Sequence, residues 1–183
     1  MKALLQLAIV AKCLALLVWV GGIIFFAFAA APLAFQEPVQ EITGGTHVSG
    51  MIVNSMLERF TVWQAVCAAV LLLALVIQIR LLRVNRGRRV LQILAALVMT
   101  ALLAWCGLLI GPRMNALGDE IGNFNEADHT GEAYLEFDAL HQRYSRLMSI
   151  NLVLGLGLFI TSIVMIPSAF RDRERDIFRG IGL

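Results

Sequence analysis

Three histidines, three cysteines and one lysine embedded in apolar sequence are the side chains of this 183-residue chain best suited to chemistry. His47, His129 and His141 lie near Met51, Met56, Met114 and Met148 in sequence or in expected depth. Imidazole and thioether together suit copper(I). Yet no His-x-His, Met-x-x-Met or HExxH spacing preorganises such a site, so no metal is expected. Cys13, Cys67 and Cys106 are odd in number, lack CxxC spacing and all fall in apolar segments. That excludes a disulfide framework or zinc site and predicts thiols packed as small hydrophobes. No nucleophile–base pair, glycine-rich phosphate loop or pair of carboxylates within apolar sequence is present. Catalytic residues are therefore not expected.

One polar group does suggest a site. Phe137, Leu140, His141, Tyr144, Met148 and Asn151 recur at three- and four-residue intervals, as one helical stripe does. With Arg113 nearby, His141, Tyr144 and Asn151 could line a small outward-opening pocket for a ligand or a proton, since imidazole titrates near neutral pH. The plainer alternative is His141 satisfied by Glu136 or Asp138. Lys12 borders the first apolar segment. A lysine inside lipid is costly and usually functional, but its long stem can also carry the charge to the membrane surface. The snorkelling anchor is expected.

The elements that must hold these residues are set by hydropathy. Apolar residues make up 59% of the chain, against about 45–50% in a soluble domain. Water could not be excluded from so much apolar surface, whereas lipid covers it. Four charge-free windows, Cys13–Phe35, Phe60–Ile79, Val90–Gly111 and Leu147–Phe170, each reach the roughly 20 residues that cross a hydrocarbon core about 30 Å thick. None alternates with period two, and a helix satisfies its own backbone groups in lipid. The first window exceeds a signal-peptide core, and Pro32 follows Ala29–Ala31 directly, so a retained span is expected.

Charge orients the spans. Lys2, Lys12, the run Arg80, Arg83, Arg86, Arg88 and Arg89, and the tail Arg171, Arg173, Arg175 and Arg179 fall on one side. Only Arg59, Arg113, Arg143 and Arg146 fall on the other, with ten of the thirteen acids. Basic residues stay inside. Both termini and the loop 80–89 are thus expected to be cytoplasmic, in a plasma membrane and most naturally a bacterial inner membrane. Segments 36–59 and 112–146 are expected outside, each ending in a helix that runs into the following span, from Thr46 and from about Glu132. The net charge of +2, with no basic groove, speaks against nucleic acid.

The expected fold is all-α: one domain over 1–183, an antiparallel four-helix transmembrane bundle with short extracytoplasmic helices. Small residues let membrane helices approach closely. Gly21, Gly22, Gly107, Gly111 and Gly155 are the candidate packing positions, joined by Ser149, Asn151 and Gly157 in span four. Gln64, Gln78, Gln92, Thr100 and Asn151 suit bonds between helices. Trp19 and Trp105 are expected in the bundle, and Trp63 near the outer end of span two.

Trp19-Val-Gly21-Gly22-Ile-Ile-Phe25-Phe26, then Ala31-Pro32 and Phe35, resembles the first span of the family called domain of unknown function 4149, the transmembrane protein 205-like proteins. Gly111-Pro112-Arg113-Met114 and Phe137…Leu140-His141…Ser145…Asn151 extend the resemblance over most of the chain. It implies a four-span membrane fold and no settled activity. The layout is also similar to copper-resistance D-like proteins and four-span protoporphyrinogen oxidases, some of which bind haem through a histidine seven residues before the position of Trp19. Lys12 stands there in this chain, and neither haem nor copper is expected. These readings favour a noncatalytic structural or accessory module whose partners are the bilayer and another membrane protein or itself. Small-molecule or ion handling near His141 is the alternative, and haem- or copper-linked redox activity ranks last.

Overall fold

A computed structural model describes the backbone of residues 2–43, 45–81, 86–124 and 126–180, with side chains except at positions 2, 86 and 165–180. The expected basic side chains Lys2, Arg83, Arg86, Arg171, Arg173, Arg175 and Arg179 lie outside that description.

Four long helical runs carry the fold, and each is long and apolar enough to cross a membrane: Ala3–Ala34, Thr46–Leu81, Gly87–Ile121 and Glu132–Val164. The first comprises α1 (Lys2–Phe25), a π-helical turn at Phe26–Ala30 and α2 (Ala31–Ala34). The short α3 (Glu37–Thr43) leads to α4 (Thr46–Leu81). The third run is α5 (Arg86–Trp105), a second π turn at Cys106–Ile110 and α6 (Gly111–Ile121); α7 spans Glu132–Gly180. Helix α1 packs on α4 and α7, and α5 packs on the same two, closing a ring of four antiparallel helices. Trp19, Leu16, Leu71 and Met99 are fully buried at its centre, with Leu158 beside them. Leucines and valines such as Leu17, Leu73, Leu94 and Val153 cover the outside, as expected of a surface facing lipid.

The two π turns have a common cause. Proline lacks an N–H, and its ring collides with the carbonyl four residues earlier in a regular α-helix. Immediately before Pro32, the Ala31 N–H skips a residue to reach the Phe26 carbonyl. Immediately before Pro112, the Gly111 N–H does the same with Cys106. The widened turn accommodates the ring, and the helix continues. Hence the segment after Pro112, expected to hold no helix before about Glu132, is helical to Ile121. It stops at Gly122, whose φ of 67° lies in the left-handed region glycine favours.

Close approach selects some of the expected glycines. A Cβ at Gly22 would overlap the Phe60 ring, one at Gly107 would lie 3.1 Å from Thr61, and one at Gly155 would lie 2.7 Å from Val20 Cγ2 and 3.2 Å from Met99 Cε. Gly21 does not take part: its Cβ would meet open space, because it is one residue around the helix from the contact face. Gly111 does not either. A Cβ there would meet only the Cys106 carbonyl of its own π turn, which breaks the GxxxG register. Gly157 and Ser149 are exposed, Ser149 donating to the Ser145 carbonyl one turn back.

Among the polar residues, Asn151 crosses to the Met99 carbonyl. Thr100 instead bonds Ala96 within its own helix, the usual alternative for a threonine hydroxyl. Gln64 is fully buried with neither amide atom partnered. Trp19 is interior as expected, but Trp105 is 55% exposed and lies on the bundle's outer surface. Lys12 does not snorkel. It is 3% exposed and donates from Nζ to Gln78 Oε1 at 3.0 Å, because position 12 falls on the α1 stripe of Leu5, Ala8, Leu16 and Trp19 that faces the core.

Candidate functional site

The end of the bundle opposite Arg80, Arg88 and Arg89 carries a cap built from helix extensions. Helix α4 has 36 residues, about 54 Å at 1.5 Å each, and Glu58 and Arg59 separate its long charge-free window, Phe60–Ile79, from Thr46–Leu57. Thr46–Arg59 therefore extends past the apolar window. Gly45, at φ 112°, turns the chain from α3 into α4, and its N–H bonds the Gln40 carbonyl at 2.8 Å. The Thr43 and Ser49 hydroxyls meet at 3.0 Å and seat α3 on α4. Helix α6 is held on both sides: Asn115 Nδ2 donates to Glu58 at 2.7 Å, and Arg113 forms a forked pair with Glu136 through Nε at 2.8 Å and Nη2 at 2.6 Å.

Against this frame the four expected ligand residues separate. Arg113 is engaged by Glu136 and exposed. Its guanidinium holds the Glu136 carboxyl below the usual carboxylate range by hydrogen bond and charge; both groups lie outside the charge-free windows. His141 is exposed and stacks on Phe137 at 6.3 Å between ring centroids. Neither acid proposed to satisfy it bonds it: Glu136 takes Arg113, and Asp138 accepts from Gln142 at 2.8 Å. Tyr144 turns inward beside Thr61 and Cys106. Asn151 lies deeper, fully buried against Met99. These residues share a stripe but not a common pocket.

A different set comes together. Phe124, in the loop after α6, contacts His47 at 6.4 Å, Tyr134 at 6.3 Å and Phe137 at 5.0 Å. His129 stacks on Tyr134 at 4.5 Å and 7°, and Phe137 passes the contact on to His141. All three histidines of the chain thus belong to one aromatic cluster tying the loop to α4 and α7. Offset and tilted ring pairs of this kind are favourable. Asp128 fixes the same loop: its carboxylate accepts from the Thr130 N–H and hydroxyl at 2.9 and 2.6 Å, which lowers its pKa. Sequence spacing could not reveal the cluster, because Phe124 carries no chemical signature of its own. Among the described residues no three His, Cys, Asp or Glu side chains are grouped to hold a metal ion.

A second feature is one face of the projecting part of α4, where Val48, Met51, Ile52, Ser55, Met56 and Arg59 form an open, largely apolar stripe. Met51, Ile52 and Met56 are all exposed.

No curated protein and no solved structure matches the chain. The sequence pattern described as domain of unknown function (DUF4149) matches residues 14–123, from the first span through α6 into the Phe124 loop. That is more than half of the sequence, and this multi-pass, all-helical membrane protein belongs to the DUF4149 family.

Proposed function

We propose that the chain is a noncatalytic accessory membrane protein that docks a second membrane protein against the projecting half of α4. The exposed, largely apolar face of α4 from Val48 to Arg59 is the observation that carries this reading. It lies beyond the Phe60–Ile79 window that lipid hydrocarbon would cover, yet its surface is apolar. Exposed patches of that kind mark interaction sites, and methionine adapts its shape to a partner. The basic asymmetry between the two sides supports an orientation with both termini cytoplasmic. Native mass measurement after extraction in mild detergent tests the proposal. A defined complex is expected, lost in a Met51→Lys, Met56→Lys double variant that still inserts. A monomer throughout would overturn it, and a homodimer would identify the partner as a second copy.

The histidine-rich ring cluster favours one further reading, a ligand or ion site near His141 on the same outer cap. His141→Ala would then alter ligand binding or resistance to a compound while insertion is unchanged. Unaltered behaviour across the compounds tested would remove it.

A further inference from the structure

Lys12 and Gln78 form a buried polar pair at the opposite end of the bundle from the cap. The pair has more donors than acceptors. An ammonium offers three N–H groups, and the hydrogen bond described for Lys12 goes to Gln78 Oε1. That bond consumes the amide's acceptor and leaves Gln78 Nε2 buried without a partner. Gln78 is 8% exposed and Lys12 3%. No Asp or Glu occurs in any of the four apolar windows, so no span supplies a countercharge. A buried lysine with no carboxylate partner among the described residues, beside an amide with a spare N–H, suits an anionic oxygen.

Depth identifies what could supply it. Gln78 lies two residues before the exposed Arg80, about 3 Å along α4. Buried Gln92 lies three residues after Arg89 at the start of α5. Arg80, Arg88 and Arg89 thus mark the membrane boundary, and the Lys12–Gln78 pair lies about half a helical turn inside it. Phosphate groups of lipids lie at that boundary, and basic pockets between helices there take anionic headgroups. We infer that Lys12 and Gln78 form a binding site for a phosphate oxygen, reached from the arginine-dense end of the bundle.

The source of the phosphate is separable by experiment on the full chain in mild detergent. Native mass spectrometry would count phosphatidylglycerol and phosphatidylcholine bound. Thermal unfolding would be followed with each lipid and with inorganic phosphate alone. A headgroup site predicts about fivefold preference for phosphatidylglycerol, lost in Lys12→Met and largely kept in Arg80→Gln. A free-anion site predicts that inorganic phosphate alone raises the melting temperature of the wild type but not of Lys12→Met. Gln78→Glu supplies the carboxylate from within the chain and should abolish either response while the protein stays folded, so the test survives if Lys12→Met misfolds. Wild-type protein indifferent to both probes, or a response unchanged in Lys12→Met and Gln78→Glu, would overturn the assignment.

Discussion

Asn151 of α7 donates its Nδ2–H to the Met99 carbonyl of α5 at 3.1 Å, while its own Oδ1 is buried without a partner. The side chain thus both joins two spans and carries an unmet acceptor. Hydrogen bonds between membrane helices average about 0.6 kcal/mol and rarely exceed about 1.7. Asn151→Ala should destabilise the bundle by about 1 kcal/mol or somewhat more, because a small cavity is added. Asn151→Leu should cost less than Asn151→Ala, since it removes the stranded oxygen, keeps the branched shape and leaves no cavity. Reversible unfolding in mixed micelles would measure both, and equal losses would count against the stranded acceptor.

Gly155 and Gly157 give a contrast two residues apart. A methyl at 155 meets the stiff, β-branched Val20 as well as Met99, whereas one at 157 meets open space. Gly155→Ala is expected to cost about 1–3 kcal/mol through overpacking. Gly157→Ala should be neutral or gain up to about 1 kcal/mol of helix propensity. The same unfolding assay decides, and a reversed order would refute the α1–α7 contact.

The Arg113–Glu136 pair is exposed on both sides, so its contribution should be small and sensitive to salt. Its sign with pH is fixed. Arg113 depresses the Glu136 carboxyl, so the stabilisation is present above the ordinary glutamate value of about 4.3 and is lost as pH falls below it. Melting curves of wild type and Glu136→Gln should differ at neutral pH and converge in acid. A gap that widens in acid would contradict the pairing.

Phe124 joins the loop to His47, Tyr134 and Phe137. Phe124→Ala should free residues 122–131, at a cost on the order of 2 kcal/mol local to the cap. Hydrogen exchange should quicken there and in the first turn of α7 while the spans stay protected. Loss of protection across the spans would show that the cap and the bundle unfold together.

Much of this was legible in the residues because lipid imposes a single strong constraint. Long uncharged windows had to be helices, and the helix expected from about Glu132 is α7, which starts there. The candidate site was less legible. The partner of Lys12 is 66 positions away, and nothing local distinguishes a lysine that reaches the surface from one that finds a glutamine. Gly21 and Gly22 read alike until the phase of α1 is fixed by Phe60. Pro112 read as the end of a helix because the compensating turn leaves no mark in composition.

That compensation recurs at Pro32, at the same end of the other parallel span. Each π turn is equivalent to one residue inserted into an otherwise continuous α-helix. The insertion also rotates everything beyond it relative to everything before it. Relaxing either turn to a regular α-helix by replacing its proline, with no residue removed, would swing the outer segment through about 100°. For the third span that would carry Arg113 and Asn115 away from Glu136 and Glu58, undocking the cap and leaving the bundle below it in register. The two prolines thereby set the azimuth at which the outer face is presented.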